Sequence, residues 1–241
     1  MNNTGTIDSC FSFINSHLQP AHLALPGANH GTARAVTISR QAGCGALVVA
    51  EKLAALLQKT AAPGAPPWTV FDRNLMDKVL EDHHLPARLS QYLPEDRITE
   101  LQDIMDELVG LRPPSHTIAR QTSETILRLA ELGNVILIGR GANIITARLP
   151  DVFHVRLVAP LEKRVEHAHK FYDMSISAAR DFCRRTDLGR KRYLKKYFGA
   201  DVTDPLQYHL TVNTGLVSYD EAARLIADGM QVRLEPAGNR R

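Results

Sequence analysis

A glycine-containing segment, residues 39–45, lies between a short apolar run and a stretch with apolar residues at helical spacing. Glycines at such a junction let backbone amides approach an anion, and the dipole of the following helix adds a favourable field. The segment therefore predicts a cradle for phosphate groups, to which we assign Ser39, Arg40, Gln41, Gly43, Cys44, Gly45 and Ala46.

The segment departs from the phosphate-loop pattern G-x-x-x-x-G-K-[ST]. If Gly45 is the last glycine, then Arg40 stands at the first, Ala46 at the lysine and Leu47 at the metal-binding hydroxyl. Taken alone, a simple glycine turn is the stronger interpretation. Arg40 is a candidate replacement cation, and Cys44 is either a reactive thiol at a helix start or a small filler residue.

Two further charged segments follow predicted strands. Asp72 and Arg73 end the second strand, and Gly139-Arg140-Gly141 follows the third, VILI. Each could be an ordinary surface pair or turn. Because the carboxyl ends of parallel strands share one edge, their joint placement predicts a ligand site beside the glycine segment.

A basic segment covers residues 180–198, with eight Lys or Arg side chains against two Asp. Phosphoryl transfer needs cations that neutralise charge on the transferring group, and an arginine-rich lid is one source. From charge alone, a solvated helix face is the favoured alternative, with nucleic-acid binding a weaker one.

Short apolar runs alternate with helical patterns five times, which predicts an α/β fold with a five-stranded parallel sheet flanked by helices. We place the domain at residues 34–233, after an extension (1–33) and before a polar tail (234–241). Within it, residues 73–132 form a helical insertion and 175–200 the basic lid segment.

Composition limits the function classes. The 241 residues are 44% hydrophobic, and a net charge of +3 is too small to imply a polyanionic partner. The three cysteines have no metal-binding or disulfide-framework spacing. Neither a leader peptide nor an apolar run long enough to cross a bilayer is evident, so we expect a cytoplasmic protein without a membrane partner.

Several segments, taken in order, resemble the cytidylate-kinase-like family. They are ISRQAGCGALVVAEKLA, VFDRNLM, VILIGRGANII, RLVAPLEKRV, the D-x-x-R-x-x-Y pattern of Asp187, Arg190 and Tyr193, and YHLTVNTGLVSYDEAARLI. The resemblance covers roughly residues 34 to 230 and implies a P-loop kinase-like fold with a helical acceptor insertion and an arginine lid. Where cytidylate kinase carries Arg-Asp after its third strand, this chain has Arg140-Gly141.

The resemblance implies ATP as donor, Mg²⁺ with unassigned ligands, and a nucleoside monophosphate or related small molecule as acceptor. Its implied site residues are Arg185, Asp187 and Arg190 in the lid, and Asp72, Arg140 and Arg164 for substrate binding. From the residues themselves we add Arg40 to the catalytic set and Arg73 to the substrate-binding set. Because the glycine-containing segment lacks the lysine and the metal-binding hydroxyl, an alternative is a catalytically inactive nucleotide sensor. A nucleic-acid binding module is a weaker alternative.

Overall fold

The computed structural model describes residues 35–72 and 117–234. The predicted extension, Arg73, most of the insertion and nearly all of the polar tail lie outside these residues. The strands are β1 (Ala35–Arg40), β2 (Thr69–Phe71), β3 (Val135–Ile138), β4 (Val152–Val158) and β5 (Leu210–Asn213). The helices are α1 (Ala46–Lys59), α2 (Thr117–Leu132), α3 (Ala142–Ile145), α4 (Leu161–Tyr172), α5 (Ile176–Phe198) and α6 (Tyr219–Leu234).

The five strands form one parallel sheet in the order β2-β3-β1-β4-β5. β1 is central, and its neighbours β3 and β4 pair with it from Ala35 onward. The loop after β1 and the turn after β3 therefore lie side by side at the carboxyl edge. The predicted α/β fold of the P-loop kinase type is confirmed.

The two faces of the central strands differ in chemistry. One face carries buried apolar side chains such as Val36, Ile38 and Val155, which pack against Leu53 of α1 and Ile226 of α6. Burying each such side chain contributes about 1.5–3 kcal/mol. This core fixes the position of α1, and hence of the loop that precedes it.

The opposite face of β1 and β4 is polar although it is buried. The register places Thr37 opposite His154 and Ser39 opposite Arg156. All four residues are less than 9% exposed, and each cross-strand pair is joined by a side-chain hydrogen bond, of 2.8 and 2.9 Å respectively. The pairs satisfy polar groups that would otherwise be costly to bury.

Most element boundaries match the sequence patterns. The pattern S-Y-D-E at 218–221 is typical of a capping box, and the structure forms one. The Ser218 amide donates to the Glu221 carboxylate (2.7 Å), and the Glu221 amide donates to Ser218 Oγ (3.2 Å). β5 covers only Leu210–Asn213 of the strand-like run YHLTVNT, and Pro160 is the N-cap residue of α4. No helix of the described residues has the length and apolar character of a membrane span.

Candidate functional site

The loop between β1 and α1 turns at two left-handed glycines. Gly43 and Gly45 have φ angles of 79° and 76°, which residues with side chains rarely adopt. A β-carbon at Gly45 would overlap the ring of Tyr219, which packs directly on the loop. The glycine loop therefore has a backbone conformation that a substitution at Gly45 would disturb, at the start of a 14-residue helix whose N-terminus favours anions.

A carboxylate of α5 accepts a hydrogen bond from one backbone amide of this loop. The Ala42 amide donates to Asp187 Oδ1 at 2.7 Å, and Arg164 Nη1 donates to Asp187 Oδ2 at 2.7 Å. Arg190 Nη1 lies 3.6 Å from Asp187 Oδ1 and donates to the Arg40 carbonyl oxygen at 3.2 Å. Helix α5 is thus tied to the loop between β1 and α1, which the sequence analysis predicts to bind phosphate.

Arg164 anchors three parts of the chain to one another. Besides Asp187, its guanidinium contacts the carbonyl oxygens of Ala42 at 3.2 Å and of Ala159 at 2.9 Å. The residue is only 8% exposed. These contacts give Arg164 a positioning role at the end of β4, whereas its implied contact with substrate stays a prediction.

The turn after β3 contains three consecutive left-handed residues. Gly139, Arg140 and Gly141 have φ angles of 87°, 55° and 76°. The Arg40 guanidinium lies over Gly139, where any β-carbon would overlap it. For Arg140 this conformation costs about 1–2 kcal/mol, and backbone strain of this kind is concentrated at functional sites.

Two clefts open at the carboxyl edge of the sheet. The loop cleft, of about 130 Å³, is lined by residues 40–48, Asp72, Ile138, His167, Phe171, Tyr172, Phe182 and Arg190. The turn cleft, of about 360 Å³, is lined by Ser39, Arg40, Gly139, Arg140, Gly141, Asn143, Thr186, Gly189, Arg190, Tyr193, Leu194 and Val202. Arg40 and Arg190 line both, so two permanent positive charges lie between the cavities.

A residue that sequence reasoning missed is hydrogen-bonded to Ser39, which lines the turn cleft. Arg156 donates to Ser39 Oγ at 2.9 Å, and its guanidinium lies 5.6 Å from the centre of the Tyr208 ring. The Tyr208 hydroxyl lies 3.2 Å from Ser39 Oγ and 3.0 Å from the Val202 carbonyl oxygen. The alternation of His154 and Arg156 within the strand VFHVRLV was the available signal.

Ser39 itself is turned away from the glycine loop. It lines the turn cleft and not the loop cleft, and it is only 8% exposed. A hydroxyl that accepts from a guanidinium is poorly suited to bind a metal cation. Its assignment to the donor phosphates stays a prediction, and in the structure it lies in the wall of the turn cleft.

Cys44 is a buried thiol inside the loop. Its Sγ donates to the Gln41 carbonyl oxygen at 3.0 Å, and burial raises its pKa to about 11. The nearby Arg40 and Arg190 charges oppose this shift but do not overcome it. Because the thiolate is the reactive form, the structure favours the filler interpretation over the reactive thiol.

Of the remaining predicted residues, three line the loop cleft and one lines neither cleft. Gln41 Oε1 accepts from the Ala159 amide at 3.0 Å, which secures the loop to the end of β4. Ala46 and Asp72 line the loop cleft. Arg185 is exposed on α5 and lines neither cleft, so its catalytic role stays a prediction that requires α5 to move.

Metal ligands are not grouped in the described part of the chain, where no three His, Cys, Asp or Glu side chains lie together as a metal site. Among the described residues lining the loop cleft, Asp72 supplies the carboxylate. Mg²⁺ commonly needs only one or two carboxylates besides water and substrate phosphates. The cleft therefore fits a Mg²⁺ ion whose other ligands are water and the phosphates of a bound substrate.

The chain is similar to proteins of one known family. The model of the cytidylate kinase-like family matches residues 35–216. The cytidylate kinase of Methanopyrus kandleri is 34% identical over 178 residues, which cover 69% of this chain and 89% of that protein. A uronate isomerase of Corynebacterium glutamicum is 28% identical over 127 residues, half of this chain but only 24% of the isomerase's length.

A solved structure shows the same fold. An uncharacterised protein from Eubacterium ventriosum superposes with a TM-score of 0.64 at 19% identity, covering 83% of this chain and 99% of that one. A shikimate kinase from Bacteroides thetaiotaomicron gives a TM-score of 0.44 at 14% identity, with coverage of 84% and 99%. At these identities the likeness of the first structure concerns the fold alone.

Proposed function

This chain belongs to the cytidylate kinase-like family, and we propose that it transfers the terminal phosphoryl group of ATP to a nucleoside monophosphate or a related small acceptor. The observation that carries the proposal is the pair of clefts that share Arg40 and Arg190. Phosphoryl transfer is catalysed by positioning and electrostatics, and it requires donor and acceptor sites that meet at a cationic point.

The donor phosphates would lie in the loop cleft. There the amides of the glycine loop and the N-terminus of α1 favour anions, and Arg40 supplies the charge that a loop lysine would carry elsewhere. Asp72 lines the same cleft and would hold Mg²⁺, partly through water, with the metal supplying charge neutralisation to the phosphates.

The acceptor would lie in the turn cleft. Its cavity of about 360 Å³ falls within the range of small-molecule sites and contains Arg140 together with Arg190. An acceptor phosphate held by these cations would face the donor across Arg40 and Arg190. The transferred group then passes between the clefts without a covalent intermediate, while the guanidinium groups offset its developing charge.

A matched pair of lid variants tests this proposal. Arg190→Ala removes a cation common to both clefts, whereas Arg192→Ala removes an exposed arginine of α5 that lines neither. With ATP and a panel of nucleoside monophosphates, a coupled ADP-release assay should show kcat lowered about 100-fold or more by Arg190→Ala and hardly changed by Arg192→Ala. Equal rates in the two variants would remove Arg190 from the mechanism.

A second function, a catalytically inactive nucleotide sensor, is favoured by two specific observations. Ala46 and Leu47 stand at the positions of the loop lysine and the metal-binding hydroxyl, and the Asp187 carboxylate already occupies the Ala42 amide. A sensor would bind ATP in calorimetric titration. In the coupled assay it would release no ADP with any acceptor of the panel. Acceptor-dependent ADP release would exclude this second function.

A further inference from the structure

Two aromatic side chains at the end of α4 are exposed. Phe171 is 46% and Tyr172 is 51% exposed. In the described ranges the other Phe, Tyr and Trp side chains are buried or half-buried. Exposed aromatic surface is common at binding sites, because the rings bury a large area when a ligand covers them.

Both rings line the loop cleft together with the glycine loop. This cleft therefore offers backbone amides and the cations Arg40 and Arg190 together with exposed aromatic rings. A ligand that matches both features has an anionic group joined to a flat ring system. A nucleoside triphosphate has this chemistry, whereas an inorganic polyphosphate has only the anionic half.

The rings are held in place by one another. Phe171 stacks on His167 with ring centres 5.4 Å apart and meets Tyr172 edge-on at 4.9 Å. Tyr172 contacts Phe182 of α5 at 5.3 Å, and His167 Nδ1 is hydrogen-bonded to the Tyr219 hydroxyl at 3.0 Å. A platform whose side chains are already ordered loses little conformational entropy when a ligand covers it.

We propose that Phe171 and Tyr172 are the base-recognition residues of this site, on which the aromatic base of the nucleoside triphosphate stacks while its phosphates lie on the glycine loop. This inference rests on the proposed function. Base–aromatic stacking contributes about 1–3 kcal/mol per base and tolerates different bases, because every base has a π-face. We therefore expect ATP and GTP to bind with similar affinity.

The test compares ATP with tripolyphosphate, which carries the charge without the base. In calorimetric titration of the full chain at fixed salt and Mg²⁺, Phe171→Ala should raise the Kd for ATP about tenfold and leave the Kd for tripolyphosphate unchanged. Ile176→Ala is the matched control, because Ile176 is 54% exposed at the start of α5 but does not line the cleft. It should change neither Kd.

Other results would overturn the inference in distinguishable ways. Equal weakening of ATP and tripolyphosphate by Phe171→Ala would show that the ring supports the loop instead of the base, and no weakening would show that the base lies elsewhere. If the wild-type chain binds neither ligand, the proposed function fails and the inference fails with it.

A spectroscopic variant supplies an independent readout that keeps the aromatic platform intact. Phe171→Trp should show quenched emission on addition of ATP and no quenching with tripolyphosphate, after subtraction of the wild-type signal from Trp68. Quenching by both ligands, or by neither, would contradict stacking of the base at this position.

Discussion

Replacement of Arg164 by methionine should destabilise the domain by about 3 kcal/mol. The guanidinium is buried and donates to the Ala42 and Ala159 carbonyl oxygens and to Asp187. Methionine keeps the apolar stem but leaves all three acceptors without this donor. We assign about 1 kcal/mol to each, which is below the roughly 1.5–3 kcal/mol of a charged hydrogen bond. The Asp187 side chain is 28% exposed, so water can replace its partner there.

Urea unfolding followed by circular dichroism measures this change. For a domain of this size, 3 kcal/mol corresponds to a fall in Tm of roughly 6–12 °C. Lys163→Met is the control, since it removes the same charge from an exposed position of the same helix and should change stability by less than about 0.5 kcal/mol.

The result that would refute this reasoning is an Arg164→Met protein as stable as the control. The guanidinium would then contribute little to the folded state, and its implied contact with substrate would be the better explanation of its presence. A loss of more than about 5 kcal/mol would exceed the usual range for breaking one buried pair and would indicate that the glycine loop unfolds with the contact.

Two further predictions concern Asp187 and His154. Asp187→Asn should tighten tripolyphosphate binding about fivefold, because a neutral amide competes less strongly than a carboxylate for the Ala42 amide. The control is Asp181→Asn, which makes the same charge change at an exposed position of α5. Weaker binding by Asp187→Asn in calorimetry would instead show that Asp187 organises the loop. Burial, with smaller contributions from His209 and Arg233, lowers the pKa of His154 to about 3, below the 6.5 of the unfolded chain. The unfolded state therefore binds the proton first, and stability is lost as pH falls below 6.5. Between pH 7 and pH 5 wild type should lose about 2 kcal/mol more than His154→Gln in denaturant titrations, and equal losses would contradict the assignment.

Local patterns predicted the elements that carry the site. The run VILI at 135–138, the glycines at 43 and 45, and the Ser218–Glu221 capping box all report short-range preferences: burial on both faces of a parallel strand, positive φ, and satisfied amides at a helix start. Alternation of such elements allows few topologies, so the five-stranded parallel sheet could also be predicted.

The contacts within the site could not be predicted from local patterns. Asp187 meets Ala42 across 145 residues of sequence, and Arg156 meets Ser39 across 117. The residue types alone left Asp187 as a member of a solvated basic helix and Arg156 as part of a strand. Only the packing of α5 on α4 and the register of β4 on β1 brought their side chains to the sheet edge.

By itself, the sequence determined the kinds of element and their order, because these depend on the spacing of apolar residues and on the residues that form turns. It also determined the edge of the sheet where a ligand would bind, because all strands of a parallel sheet end at the same edge. The tertiary structure alone decided which groups face one another there. It placed Arg40 and Arg190 between two clefts and Asp187 on the loop amide. Such pairings depend on strand order and helix packing, which are set by the whole core and not by any one segment.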